Sequence, residues 1–444
     1  MNSFNLKGFI LKKGSGSFLV QFIAALSGVL LSMLLANNLS PDEFGKFYFC
    51  LSLVLVIALI CQIGTPLFLT KEISVLEIDK KYTGIISRII YSFSITSFIT
   101  LLGIFILFIL IKKFEITFFS EYSSFIYLIL LSIPLIVFIN IIASIYRGFG
   151  YVVYAIFIDG CLGLLLTLFS SFLVINNFGN EITGPLIFRL YTLSLFIALI
   201  ISLGPALALK NKNRYISFRK LKIYENVKSW NKSLFYFAIM SIAVVANDHL
   251  SLLILGILNT HVEVGYFKIA IQLSLIVIFG LNAINSIIGP KIASLYAEKR
   301  FHDLQILLTY SVKFSFIYAL LATATIYFIG RIIINYFFGD QYSYAYLPLL
   351  ILCIGQFFNV CFGSVGWIVN MTGREDYSAK ILVLSLLINV LLTLSLAPSF
   401  GSIGVAISAA LSLLFWNVAL YRFILKEFNL NPSIFYILNT QKYE

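Results

Sequence analysis

The sequence predicts an all-α integral membrane protein with 12 transmembrane helices in two parallel six-helix lobes around a central cavity. Two observations favour this class. The chain has 444 residues, of which 60% are hydrophobic and only 11% are charged, and its mean hydropathy is +0.99. A typical soluble domain carries about 25% charged residues. Because 12 spans of about 21 residues leave only short loops, the composition excludes a large domain outside the membrane.

Apolar runs between polar segments locate the helices in order. Backbone N–H and C=O groups inside a bilayer must be paired within their own segment, so each run is expected to be a helix. The first run is too long for the apolar region of a signal peptide and lacks a cleavage site, which predicts an uncleaved helix. The predicted spans are 18–38, 47–70, 89–111, 123–145, 152–175, 186–209, 233–258, 266–289, 307–330, 345–369, 381–398 and 403–424.

Lysine and arginine residues orient the predicted helices. If the N-terminus is cytoplasmic, the inside segments hold 24 of the 31 basic residues and the outside loops hold six. This asymmetry follows the positive-inside rule and places both termini in the cytoplasm. The basic residues are spread over short loops, so the net charge of +12 does not predict nucleic-acid binding.

Local sequence matches between the two halves predict an internal repeat with an offset of about 220 residues. Six helices per half give both halves the same orientation, with any pathway between them. The predicted division is a first lobe at 1–209, a basic cytoplasmic linker at 210–232 and a second lobe at 233–444. The matching segments are Pro41-Asp42-Glu43-Phe44-Gly45 with His261-Val262-Glu263-Val264-Gly265, Gly150 and Tyr154 with Gly373 and Tyr377, and Phe178-Gly179 with Phe400-Gly401.

Polar side chains at helical spacing mark faces that should point to the bundle interior or a hydrated cavity. On such a face Lys268 would present a cation to an anionic substrate. The alternative is that its side chain extends to the nearby membrane interface. The candidates for substrate binding are Lys268, Gln272, Asn282 and Asn285 in span eight, Gln356 and Asn359 in span ten, and Asp248 in span seven.

Two carboxylates inside predicted spans, Asp248 and Asp159, are candidates for ion or proton coupling. An ionised Asp near the bilayer centre costs about 2.5–3.5 kcal/mol, so each needs a partner, a water-filled cavity or a proton. A structural Asp bonded to neighbouring polar side chains is the alternative. Arg147, at a span end, is predicted to anchor the topology or contact headgroups. Hydrolase and nucleotide-binding motifs and metal-ligand clusters are lacking, so we expect no enzyme activity, metal or cofactor.

Several motifs resemble those of Wzx-type O-antigen and polysaccharide flippases, members of the multidrug/oligosaccharidyl-lipid/polysaccharide (MOP) exporter superfamily. The resemblance covers essentially the whole chain. Its strongest part is the region of helices seven and eight, and further matches lie between helices one and two and before helix ten. The matching segments are Asn247-Asp248-His249-Leu250, Glu263-Val264-Gly265-Tyr266-Phe267-Lys268-Ile269-Ala270, Gly289-Pro290-Lys291-Ile292-Ala293, Leu39-Ser40-Pro41-Asp42-Glu43-Phe44-Gly45 and Phe338-Gly339-Asp340-Gln341-Tyr342.

The resemblance implies a flippase that moves an undecaprenyl-diphosphate-linked oligosaccharide from the cytoplasmic to the periplasmic leaflet of the bacterial inner membrane by alternating access. It implies as partners the lipid-linked oligosaccharide, membrane lipids, a polysaccharide polymerase and a chain-length regulator. One departure is that Lys268 is the only Lys or Arg on the polar faces of spans seven and eight. The alternatives are a cation-coupled multidrug exporter of the same superfamily and a membrane glycan polymerase, which usually needs a larger periplasmic loop.

Overall fold

The computed structural model describes residues 6–78, 81–113, 122–178, 182–212 and 227–436, and the regular secondary structure in these ranges is helical. This confirms the predicted all-α membrane fold class. Within these ranges, ten helices are long and apolar enough to cross a membrane. The helices are α1 (Leu6–Asn38), α2 (Pro41–Gln62), α3 (Thr65–Ile78), α4 (Tyr82–Lys113), α5 (Ser123–Gly148), α6 (Val152–Ile156), α7 (Gly163–Phe178), α8 (Gly184–Lys212), α9 (Val227–Leu258), α10 (His261–Ala297), α11 (Phe301–Phe338), α12 (Tyr346–Phe362), α13 (Val365–Met371) and α14 (Glu375–Phe428), with a π-helical turn at Phe157–Leu162 and a 3-10 turn at Asp340–Ala345.

Helix α14 is too long for one crossing, because 54 residues extend about 80 Å. The chain reverses at Gly401, whose φ of 53° and ψ of −135° lie outside the helical region. Side chains and backbone on the two sides of Gly401 meet in pairs whose residue numbers converge on the reversal, as in an antiparallel hairpin. This accounts for the two predicted spans 381–398 and 403–424. The pairs are Tyr377 with Phe423, Ser385 with Ser412 and Leu396 with Gly404.

Two predicted spans are broken at glycines in the left-handed region. Span 47–70 is interrupted at Gly64, with φ +70°, where a Cβ would lie 2.4 Å from the backbone nitrogen of Ala238. Span 345–369 is interrupted at Gly363, with φ +72°, where a Cβ would lie 2.4 Å from the carbonyl oxygen of Pro432. In both places another chain segment occupies the space of a side chain, so only glycine fits.

The chain divides into two compact units, Met1–Leu39 with Cys50–His249 and Ser40–Phe49 with Leu250–Glu444. In the first unit α3 packs against α5, and the Ser74 hydroxyl donates to the Gly148 carbonyl at 3.2 Å. The predicted division into lobes around a linker at 210–232 stays a prediction, and residues 213–226 of that linker lie outside the described residues. The second unit has an apolar core that includes Ile292, Leu304, Phe362, Val369, Leu420 and Ile424.

A reciprocal contact in the second unit joins the first turns of α2 and α10. A Cβ on Gly45 would lie 1.7 Å from the carbonyl oxygen of His261. A Cβ on Gly265 would lie 3.1 Å from the Phe44 ring and 3.6 Å from the carbonyl oxygen of Pro41. Pro41 and His261 occupy matching positions in the predicted repeat, as do Gly45 and Gly265. Each glycine therefore faces the first turn of the other helix, although Gly45 lies much closer to backbone than Gly265 does. Such reciprocal contacts are what a local, approximate two-fold axis produces.

Candidate functional site

An ion pair in the first unit joins two helical segments that are long and apolar enough to cross a membrane, Ser123–Gly148 and Val152–Asn177. Asp159 sits in the π-helical turn Phe157–Leu162, and Arg147 lies in the last turn of α5. The guanidinium of Arg147 donates to a carboxylate oxygen of Asp159, and the two side chains are 30% and 15% exposed. The pair has no net charge, so it places much less unfavourable charge in the bilayer than Asp159 alone. Arg147, which the sequence predicted as an anchor, is thus the partner that Asp159 was predicted to need.

A cavity of about 190 Å³ adjoins this pair. It is lined from α2, α5, α7, α8 and the π-helical turn. Its polar side chains are Asn140, Asp159 and Tyr191, and its other residues are Leu, Ile, Ala and Gly. The volume accommodates several water molecules, each of which occupies about 30 Å³ in the liquid. Single π-helical turns inside α-helices occur frequently at functional sites. The geometry allows water or a small polar group to bind beside Asp159.

Lys268 lies beside a cluster of aromatic side chains in the second unit. Its Nζ atom is 4.8 Å from the centroid of the Tyr48 ring. Tyr48 packs edge-on against Phe44 at 4.9 Å, and Phe44 packs against the fully buried Tyr342 at 5.3 Å. An ammonium over an aromatic face is stabilised by about 0.5–2 kcal/mol, depending on how far it is desolvated. The arrangement holds the cation of Lys268 against α2.

Of the remaining polar candidates of α10, Gln272 and Asn282 continue the same face and Asn285 borders it. Gln272 is half-buried, Asn282 is exposed and Asn285 is buried. The hydroxyl of Ser364, at the break between α12 and α13, donates to the amide oxygen of Asn285. Because 17 residues separate Lys268 from Asn285, the two lie about 26 Å apart along the helix axis. The polar face therefore extends over most of the thickness of a bilayer core.

The predicted residues of span ten contact each other. The Asn359 amide donates to Gln356 Oε1 at 3.2 Å, and both side chains are half-buried on α12. The side chain of Asp248 lies outside what the structure describes, so its predicted role stays a prediction. Its neighbour His249 has Nδ1 3.3 Å from Ser52 Oγ.

Sequence reasoning did not select Tyr48 or Tyr191, because an aromatic residue in an apolar run looks like any other core residue. A signal for the ion pair was present. Arg147 precedes Asp159 by only 12 residues, across the short connection between spans four and five. Both charged side chains are therefore expected near the same side of the membrane.

Comparison with known proteins identifies the family. The family model described as "Polysaccharide biosynthesis protein" matches residues 10–296, well over half of the chain. A probable low-salt glycan biosynthesis flippase, Agl15 of Haloferax volcanii, is 23% identical over 189 residues, which are 43% of this chain and 40% of that protein. The uncharacterised membrane protein MJ1068 of Methanocaldococcus jannaschii is 37% identical over 107 residues, 23% of this chain and 21% of that one. The chain thus matches less than half the length of either relative.

Solved structures share the fold over nearly the whole chain. A multidrug resistance MATE family transporter of the MOP superfamily, in an inward-facing conformation, has a TM-score of 0.65 at 15% identity and covers 91% of this chain and 93% of its own. The lipid II flippase MurJ, in an inward closed conformation, has a TM-score of 0.62 at 14% identity and covers 91% and 86%. The polysaccharide-related family expected from the motifs is confirmed, and the solved structures confirm the expected fold. The chain belongs to the polysaccharide biosynthesis protein family and has the fold of MOP-superfamily transporters.

Proposed function

We propose that this protein is a flippase for a lipid-linked oligosaccharide and works by alternating access. The observation that carries the proposal is the family match over residues 10–296 in a chain whose α10 has a polar face along its length. The partial similarity to a protein named as a probable glycan biosynthesis flippase supports it. In its finer form, the substrate is an undecaprenyl-diphosphate-linked repeat unit of O-antigen, capsule or exopolysaccharide that passes from the cytoplasmic to the periplasmic leaflet.

The polar residues take different parts in this proposal. Lys268 binds the diphosphate and offsets one of its negative charges, since it is a cation half-buried within α10. The amides of Gln272, Asn282, Asn285, Gln356 and Asn359 bond sugar hydroxyls. Asp159 and Asp248 are the candidates for coupling to an ion or proton. The protein would lie in the bacterial inner membrane with both termini in the cytoplasm, and would act with a polysaccharide polymerase and a chain-length regulator.

A cation-coupled multidrug exporter is the second candidate, because MATE transporters have the same fold. The ion pair between Arg147 and Asp159 argues against cation coupling at Asp159, because a coupling cation would have to displace the guanidinium. A glycan polymerase is less favoured, because the relatives with named activities are flippases or transporters.

Removal of the gene separates these functions. We expect lipid-linked repeat units to accumulate in the cytoplasmic leaflet and surface polysaccharide to disappear, because assembly would stop at the membrane crossing. Mass spectrometry of extracted lipid-linked glycans and staining of surface polysaccharide measure both effects, with the wild-type gene returned on a plasmid as the control. Normal surface polysaccharide together with loss of dye efflux would favour the multidrug exporter instead.

Substitution of Lys268 tests the proposed diphosphate contact. A charge pair at 4 Å contributes about 4 kcal/mol at an effective dielectric constant of 20, before desolvation is subtracted. We therefore expect Lys268→Ala to reduce export of the lipid-linked glycan by at least about tenfold and Lys268→Arg to retain part of it. Lys291→Ala, an exposed lysine on the same helix, serves as the matched control. Equal export by the Ala and Arg variants would show that Lys268 only reaches toward the membrane interface.

A further inference from the structure

The reversal in α14 leaves the backbone N–H of Ser402 without its helical partner. In a continuous helix the Ser402 N–H would donate to the carbonyl of Pro398, four residues earlier. The change of direction at Gly401 breaks this ladder. Such a group needs another partner, because an unpaired backbone N–H or C=O inside a protein is costly.

The Ser402 N–H and the carbonyl of Ala397, about one turn before the reversal, both bond to side chains at the junction of α9 and α10. The side-chain amide of Asn259 donates to the Ala397 carbonyl at 3.1 Å. The Ser402 N–H donates to Glu263 Oε2 at 2.7 Å. Glu263 lies in the first turn of α10, so the carboxylate of one helix caps the start of the helical segment that follows Gly401. A negative charge is favourable there, because the first N–H groups of a helix form the positive end of its dipole.

The fit around Gly401 shows that this contact is built into the fold. A Cβ at residue 401 would lie 2.7 Å from Glu263 Oε2 and 2.9 Å from its carboxyl carbon. The φ of +53° at Gly401 also disfavours any side chain. Two hydrogen bonds and one glycine therefore hold the α9–α10 connection to the reversal in α14.

We infer that Glu263 is a positioning residue that locks the first turns of α10, and with them Lys268, to the reversal in α14. Lys268 follows Glu263 by five residues, about 7.5 Å along the helix, and lies over the Tyr48 ring. If α10 rotates or shifts at its start, the ammonium leaves this position. The part of the inference that concerns transport rests on the proposed function, whereas the lock itself does not.

Hydrogen exchange measured by mass spectrometry tests the lock without any substrate. In Glu263→Ala, amides 402–405 should exchange about tenfold faster, the factor expected when one charge-assisted hydrogen bond is lost. Glu263→Gln keeps an acceptor oxygen of the same reach and should show a smaller increase. Glu298→Ala, which removes an exposed carboxylate paired with Arg300, should leave these amides unchanged. Unchanged exchange in Glu263→Ala would overturn the inference.

Transport kinetics test the positioning of Lys268. In proteoliposomes that contain the lipid-linked glycan, we expect Glu263→Ala to raise the half-saturating substrate concentration about threefold or more, with partial recovery in Glu263→Gln. A lower maximal rate with an unchanged half-saturating concentration would show that Glu263 does not act through Lys268. If the wild-type protein moved no glycan, the proposed function would fail, and the exchange experiment alone would decide on the lock.

Discussion

Arg147→Ala is expected to destabilise the protein by about 3 kcal/mol, because it leaves the carboxylate of Asp159 without its counter-charge inside the membrane. Asp159 is only 15% exposed, so the few water molecules that fit into the adjoining cavity replace the guanidinium only in part. Thermal unfolding in detergent, followed with a thiol-reactive dye, measures the effect. The dye has suitable targets, since all five cysteines are buried and we expect their thiols to be exposed to it when the chain unfolds.

A double substitution distinguishes loss of the pair from loss of packing. In Arg147→Leu with Asp159→Asn, neither charge remains, so the unfolding temperature should lie above that of Arg147→Ala. Arg300→Ala is the matched control, because it also removes an arginine paired with carboxylates but at an exposed position, and its unfolding temperature should equal that of the wild type. Additive effects of the single substitutions would contradict an energetic link between Arg147 and Asp159.

The fold class follows from the sequence because apolar runs in a bilayer have few alternatives to helix. The two spans within α14 were separable in the sequence, since Pro398 and Gly401 punctuate the apolar run there. The helix breaks at Gly64 and Gly363 could not be predicted from the sequence. Each depends on a backbone that passes through the space of a side chain, the nitrogen of Ala238 or the carbonyl of Pro432, and neither neighbour is near in the sequence.

The candidate site was predictable in its polar residues and not in their partners. Helical spacing selected Lys268 and Asn285, and the cost of an intramembrane carboxylate predicted a partner for Asp159. The aromatic ring beside Lys268 was hidden, because a chain with 43 Phe and 25 Tyr offers many rings in apolar runs. Only the tertiary structure shows that Tyr48 of α2 is the ring in contact.

Gly45→Ala is expected to destabilise the second unit by about 3 kcal/mol or more, because the new Cβ would meet backbone atoms on α10. It would lie 1.7 Å from the carbonyl oxygen of His261 and 2.4 Å from its carbon. Overpacking costs about 1–3 kcal/mol where side chains can move aside, and more where they cannot. The same dye-based unfolding measurement in detergent reports the change.

Two further glycines calibrate this result. A Cβ on Gly265 first meets the Phe44 ring at 3.1 Å, and a Cβ on Gly204 in α8 meets nothing within 4 Å. Rings yield more easily than backbone, so Gly265→Ala should cost less than Gly45→Ala, while Gly204→Ala should be neutral or slightly stabilising. Equal stability of Gly45→Ala and Gly204→Ala would contradict the close crossing of α2 and α10. A clear difference in stability between Gly45→Ala and Gly265→Ala would show that the two matching positions of the repeat differ in how closely the helices approach each other there.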